Sequence, residues 1–504
     1  MSLAQEWGAV PSGVGGVMVR VEVDVAQGLP TVGVVGLAQA SVAESRWRAR
    51  SAIVNSGFTW PNSRITIGLS PADLPKTGTS LDLPIAVGIL VASGQLDAGD
   101  PENSFLGELG LDGVIKPVAG ALAVGISAQR HGTTRILASA ENARELREID
   151  GLVVVAVRNL RHLAQVLSGD DVGVQIQAEE ASAVLNELGD FDEVRGHEQS
   201  RFALEVAAAG GHHLAMIGEP GVGKTMLAQR FVSILPDLTH QQALDVTSMH
   251  SLAGRIVPGQ GLMRRPPLIA PHHSISTGAM VGSVRAGVLQ PGALSLANHG
   301  VLFLDEAPEF ARPCLEGMRQ PLELGTLSLM RVGQVVVAPA QFQLLLAANP
   351  CPCGKAIGTG SSCTCDSASK RRYMQKLSGP LMDRIDIRLL LSKPTKAHMR
   401  MREVESSEVI AHRVRLARER SAQRWGHESW VLNAQAPGSA LRTRYAPSGK
   451  AMDLLTKAEN AGLNPRGSDR VLRMSWTLAD LDGVDELQTE HIALALALRG
   501  ESFD

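Results

Sequence analysis

Three short stretches of this 504-residue chain carry residue types and spacings suited to chemistry on a phosphate chain. The first, GEPGVGKTM, runs through Gly218, Glu219, Pro220, Gly221, Val222, Gly223, Lys224, Thr225 and Met226. Its glycines let backbone N–H groups curl around phosphates, Lys224 reaches the terminal ones, and the Thr225 hydroxyl is placed to ligate Mg²⁺. The expected ligand is ATP. The second, GVLFLDEAPEF, is a four-residue apolar run ending in Asp305 and Glu306, some eighty residues later. Asp305 is expected in the Mg²⁺ shell, and Glu306 is expected to orient and polarise the attacking water. The third, FQLLLAANP, ends in Asn349, a candidate hydrogen-bond partner for that water or the γ-phosphate. Farther on, SGPLMDRIDI offers Arg384. Hydrolysis spreads charge over the γ-oxygens, which an arginine from a neighbouring subunit can stabilise. The alternative for Arg384 is a surface ion pair with Asp383 or Asp386.

A further stretch has a different chemistry. NPCPCGKAIGTGSSCTC, residues 349–365, holds four of the five cysteines, leaving only Cys314 elsewhere. Cys351-x-Cys353, nine residues, then Cys363-x-Cys365 offers four thiolates for one tetrahedral site, and zinc is the natural occupant of such a site. Free thiols are the alternative. His272 and His273 lie too far along the chain to count as ligands and are expected in a loop near an insertion.

The elements that position these residues follow from pattern. HLAMI, VLFL and QLLLA are apolar runs that read as buried strands, and the glycine-rich turn opens the helical MLAQRFVSIL. A carboxylate at the C-terminal end of such a strand sits in the crevice where open parallel sheets bind ligands. Upstream, GVMVRVEVDV and RITIGLS read as strands, and SVAESRWRARSAIVNSG and DLPIAVGILVASG as helices, with Gly94 closing the latter. GDDVGVQIQAEEASAV reads as a linker. Beyond SKP the chain turns helical. This divides it into 1–175, a linker 176–190, a P-loop α/β unit 191–392 and a helical unit 393–504.

Bulk composition is permissive. A chain this long is expected to form several domains. Aromatics are 3% of residues, so aliphatic side chains must fill the cores. A net charge of −3 gives no whole-molecule attraction to nucleic acid but leaves local basic surfaces open. The N-terminus lacks a signal-peptide layout and no run of about 18 apolar residues occurs, so a cytoplasmic protein with no membrane span is expected.

Taken together, the P-loop, Asp-Glu, Asn and Arg in this order, followed by helices, resemble the AAA+ ATPases. APHHSIS, HGVLFLDEAPEF, AANPCPCG and SGPLMDRIDI, with GLPTVGVVGLAQASVAESRWRARSAIVNSGF and KTGTSLDLPIAVGIL upstream, resemble the magnesium-chelatase-like ComM (YifB) family along nearly the whole chain. The resemblance implies a multidomain α/β protein: an N-terminal α+β domain like that of Lon proteases and a ribosomal protein, a central AAA+ parallel-sheet domain and a C-terminal α-helical lid. It implies a homohexameric ATPase acting on single-stranded or branched DNA as a branch-migration helicase in natural transformation. It also implies two hairpin insertions in the ring pore, at 277–295 and 325–342, with Arg285 and Arg331 as phosphate contacts. The second reads independently as a hairpin turning at Gly333. In the lid, Asn464-Pro465-Arg466 stands where the family has Ser-Ala-Arg. Asn as N-cap with Pro in the first turn is a sound helix start, so Arg466 is the expected nucleotide sensor, with Arg470 one turn on as the fallback. Ala293 and Ile269 depart from the family pattern, where a Glu and a basic residue are usual.

KTGTSLD places Ser80 where Lon-type enzymes carry their nucleophile. Leu122 stands where those enzymes carry the activating lysine, and a serine without a base is not activated at neutral pH. Ser80 is therefore expected to cap the following helix. Two other functional classes stand beside the DNA motor: a chelatase-type motor remodelling a partner protein, and a scaffold with a vestigial P-loop. Intact Lys224, Asp305, Glu306, Asn349 and Arg384 argue against the scaffold.

Overall fold

Val19, Val21 and Val23 are fully buried, while Arg20, Glu22 and Asp24 between them keep solvent contact. That period of two makes β2 (Gly15–Ala26) a strand with one closely covered face. In the computed structural model, which describes residues 2–36, 44–72, 76, 78–97, 100–174, 189–256, 261–285, 287–331, 334–356, 363–377, 379–393 and 404–500, β2 lies inside a seven-stranded mixed sheet. Its other strands are β1 (Ser2–Ser12), β3 (Thr31–Val35), β4 (Arg64–Ser70), β5 (Asn103–Leu106), β8 (Arg135–Ala138) and β9 (Val153–Ala156), in the order β3-β4-β2-β1-β5-β8-β9. The short β6 (Glu108–Leu109) and β7 (Ile115–Lys116) pair beside it.

The helix Asp82–Ala92 is apolar on nearly every side because it lies between this sheet and the helix Ser45–Asn55. Its approach to the sheet depends on missing side chains. A Cβ on Gly8 would lie 2.7 Å from Pro84, and one on Gly88 would lie 2.7 Å from Val23. Ser80 does not cap this helix, contrary to expectation. Leu81 holds the N-cap position without a side-chain bond, and the buried Ser80 hydroxyl donates instead to the Ala9 carbonyl at 2.8 Å. The Ala9 carbonyl of β1 takes the hydroxyl that a local cap would have used.

The second sheet is all parallel, in the order β11 (Leu268–Ile269), β14 (Val301–Leu304), β17 (Gln343–Ala348), β10 (Leu214–Gly218), β18 (Ile387–Leu391). β14 and β17 are buried along their whole length, as strands covered on both faces must be. Successive residues face opposite cores: Met216 points to one shared with the helix Lys224–Phe231 and the C-terminal helices, Ala215 to one closed by Phe310, Cys314 and Leu381. Two antiparallel hairpins project from this unit, β12 (Gly282–Arg285) with β13 (Val288–Pro291), and β15 (Thr326–Arg331) with β16 (Gln334–Pro339). The first is shorter than the expected 277–295, because helices Thr277–Val281 and Ala293–Leu296 take its flanks.

The C-terminal part is helical, built on Ser407–Arg424, Gly449–Asn460, Pro465–Asp482 and Thr489–Arg499. Its core is continuous with that of the parallel sheet. Trp425 is enclosed by Trp430, Tyr445 and Trp476, a local concentration of aromatics in a chain that has few. Between the sheets, the helix His240–Leu252 packs on the helix Ala121–Arg130, and the β1–β2 turn joins β13 through Gly13 N–H to Gly287 O (2.8 Å) and Leu289 N–H to Gly13 O (3.0 Å). The expected linker 176–190 falls almost wholly on residues outside the described ones, as does Gly333.

Candidate nucleotide site

β10 ends at Gly218, the chain turns through Gly221 (φ 74°) and Gly223 (φ 97°), and the helix begins at Lys224. Both angles lie where only glycine is unstrained, so the turn requires these two residues. The Lys224 ammonium donates to the Gly218 and Glu219 carbonyls at 2.8 and 3.0 Å and to Asn349 Oδ1 at 3.1 Å. Burial lowers the Lys224 pKa, with Asp305 and Glu306 opposing. The Thr225 hydroxyl donates to Asp305 Oδ2 at 2.6 Å. Lys224, Thr225, Asp305 and Asn349 come from the P-loop helix, β14 and β17, and they meet at the carboxyl edge of the sheet where a ligand would bind.

Glu306 follows Asp305 in a left-handed conformation (φ 51°, ψ 43°). A non-glycine residue there costs on the order of 1–3 kcal/mol. The Glu306 N–H donates to Asp305 Oδ1 at 2.9 Å, and its side chain is exposed. Two histidines outside the expected set lie at this site. His273 Nδ1 is 3.3 Å from Glu306 Oε2, and its ring stacks on His272 at 4.1 Å. His197 hydrogen-bonds the Val222 backbone, and its ring is 3.8 Å from where a Cβ on Gly223 would stand. Burial lowers its pKa. The twin histidines following β11 were the available signal for the first; nothing local marks the second.

Arg384 does not pair with Asp383 or Asp386. Its guanidinium forms an ion pair with Glu323 and donates to the Pro380 carbonyl. Burial first, then the charges of Arg466, Arg470 and Arg319, lower its pKa. Asn464 caps the helix Pro465–Asp482 by accepting from Gly467 N–H at 2.8 Å, which leaves Arg466 exposed on its first turn. Arg470 is turned inward onto Asp386. Burial alone would raise the Asp386 carboxyl. Arg470 and His212 outweigh it and hold the group well below the usual carboxylate range. Arg285 closes β12 and is exposed; Arg331 ends β15 opposite Gln334.

The four cysteines converge. Cys351–Cys353, Cys351–Cys363 and Cys353–Cys363 sulfurs are 3.4, 3.8 and 3.6 Å apart, and all four ligand atoms lie within 4.8 Å of one another. A tetrahedron with Zn–S bonds of about 2.3 Å has edges of about 3.8 Å, so the cluster has the size of a zinc site. Backbone N–H groups of Lys355 and Thr364, with Cys351, pull the Cys353 thiol down to about 5.

Three family profiles match the chain: "Magnesium chelatase, subunit ChlI" over residues 190–399, "Subunit ChlI of Mg-chelatase" over 21–142, and the ChlI C-terminal profile over 404–499. An uncharacterized protein of Mycobacterium tuberculosis is 43% identical, with 99% of each chain covered. The uncharacterized protein YifB of Escherichia coli is 39% identical over 97% of this chain and 95% of its own. The competence protein ComM of Haemophilus influenzae is 37% identical over 99% of this chain and 98% of its own. With the parallel sheet and its P-loop in place, these matches show that the chain belongs to the magnesium-chelatase-like ComM (YifB) family.

Proposed function

We propose that this chain is an ATP-hydrolysing AAA+ motor that assembles as a homohexamer and drives migration of branched or single-stranded DNA. One observation carries the catalytic part: Lys224 meets Asn349, and Thr225 meets Asp305, at the open edge of a parallel sheet. In this reading residues 218–226 cradle the phosphates. Thr225 and Asp305 would hold Mg²⁺, which would supply charge neutralisation at the phosphates. Glu306 orients water and Asn349 holds the γ-phosphate end. Arg384 leaves Glu323 to serve the site of the adjacent subunit, and Arg466 reports on nucleotide from the lid.

The DNA part rests on the likeness to a competence protein and on two hairpins ending in Arg285 and Arg331. Arginines at such tips contact phosphate without reading sequence. The division into a non-proteolytic Lon-like unit 1–175, an ATPase core 191–392 and a lid 393–504 belongs to this proposal, as do a cytoplasmic location and zinc at Cys351, Cys353, Cys363 and Cys365. Among the described residues no helix is long and apolar enough to cross a membrane.

The test is ATP turnover by the purified protein alone, with single-stranded DNA and with a synthetic four-way junction, beside Lys224→Ala. Stimulation that is absent in the variant and weakens steeply with salt supports the DNA motor. Hydrolysis indifferent to every DNA points to a partner protein as the thing remodelled.

A further inference from the structure

The cysteine cluster touches the phosphate loop. A Cβ on Gly354 would stand 2.6 Å from Pro220 Cδ and 2.8 Å from its Cγ, so the turn after Cys353 lies directly on the P-loop, and only glycine permits that approach. Gly354 is also in the left-handed region, at φ 78°, and its N–H donates to the Cys351 carbonyl at 2.9 Å. A second connection runs through the chain itself. Cys351 is fully buried and stands two residues after Asn349, whose side chain accepts from Lys224. A third closes from the far side. Asp366, next to Cys365, caps the helix Ser367–Gln375, and that helix returns the Tyr373 hydroxyl to the Asn349 backbone.

The cluster therefore grips the nucleotide site at Pro220 and on both sides of Asn349. Hydrophobic burial contributes little to holding it. Apart from Cys351 its cysteines are only partly buried, and the thiol is a weak hydrogen-bonding group. The four ligand atoms lie within 4.8 Å of one another, close enough for a single divalent metal to bind all of them.

We propose that metal in the four-cysteine site sets the geometry of the P-loop, so that its occupancy controls nucleotide affinity through Gly354 on Pro220. The inference rests on the reading of the cluster as a zinc site and adds to it a role in nucleotide binding. A loop shifted by a fraction of an ångström no longer aims its N–H groups at the phosphates, and misplacement of that order has large effects on binding and catalysis.

The experiment uses the full chain, zinc-loaded, stripped by a chelator under reducing conditions, and stripped then reloaded. Metal content is measured by elemental analysis, ATPγS affinity by calorimetry and fold by circular dichroism. Gly354→Ala is carried through all three states, because it keeps the four thiolates while forcing the turn off Pro220. The expected result is one zinc per chain and affinity on the order of tenfold weaker after stripping, restored on reloading. In Gly354→Ala, zinc remains bound, affinity starts low and stripping changes it no further. One zinc per chain with affinity unchanged by stripping overturns the inference and leaves the zinc site standing. A chain that carries no zinc and takes up none overturns both. Should stripping unfold the protein, the Gly354→Ala comparison decides: zinc-loaded variant with wild-type affinity contradicts the proposal.

Discussion

Lys224 and Ser80 are both nearly buried, and both lie in short motifs that announce chemistry, yet their surroundings differ. Around Lys224, groups from β14, β17 and the P-loop helix converge at an open sheet edge, and the ammonium is shared among Gly218, Glu219 and Asn349. Around Ser80, the hydroxyl proton is committed to the Ala9 carbonyl inside a covered sheet, and Leu122, which the resemblance to Lon-type enzymes sets where they carry the activating lysine, is buried and apolar. A reactive residue type becomes a site when the fold brings it partners and leaves room for a ligand. At Ser80 the same kind of precision serves packing.

The largest expected effect tests that contrast directly. Lys224→Ala lowers ATP turnover by roughly 10²–10³-fold through loss of charge stabilisation at the phosphates, whereas Ser80→Ala leaves turnover within about twofold of wild type, since its hydroxyl touches no reacting group. Steady-state phosphate release measures both. A Ser80→Ala enzyme as impaired as Lys224→Ala would erase the distinction. Glu306→Gln comes next. It is expected to reduce hydrolysis by roughly 10²-fold while nucleotide still binds, because the amide cannot polarise water. Calorimetric affinity beside turnover separates the two effects.

A pH effect on stability sharpens the comparison from another side. The parallel sheet meets the C-terminal helices at Asp386, which pairs with Arg470 and accepts from the His213 N–H at 3.1 Å. Leu344 N–H donates to His213 Nδ1 at 3.1 Å, which requires that nitrogen to be unprotonated, and desolvation lowers the His213 pKa to about 4. A base with a depressed folded-state pKa is stabilising when neutral. This contribution is fully present above about pH 6.5, the unfolded value, and is lost as pH falls toward 4. Asp386 acts in the same direction at lower pH, its contribution declining below about pH 3.9. Urea unfolding at pH 7.5 and pH 5 is expected to show a fall in stability that is smaller in His213→Asn. An equal fall in both proteins would remove His213 from the account. The smallest effect is at His273: replacing it with Ala removes the ring beside Glu306, and turnover is expected to change severalfold with nucleotide affinity unaltered.

Three strands of the parallel sheet were legible because HLAMI, VLFL and QLLLA are apolar runs, whereas the two-residue β11 and the outer β18 were not read as strands, and the P-loop carries its own turn chemistry in Gly221 and Gly223. What escaped reading depended on distant partners. Arg384 was read as an arginine for a neighbouring subunit's site, with Asp383 or Asp386 as the alternative partners; the carboxylate it meets is Glu323, sixty-one residues upstream. Ser80 looked like a helix cap until β1 supplied Ala9 as a competitor. His273 reaches Glu306 across the whole first hairpin, so no local pattern marks the contact. Gly354 against Pro220 is of the same kind, since the Cys-Pro-Cys-Gly spacing identifies a ligand set without saying what it rests on.

The central claim is that ATP turnover at Lys224 drives movement along DNA. The most direct measurement is migration of a fluorescently labelled four-way junction into its two duplex products by the purified full-length protein, with ATP, with ATPγS and with Lys224→Ala. Product formation that requires ATP and vanishes in the variant is the predicted result. Robust ATP hydrolysis with no junction movement at any salt concentration would contradict the claim.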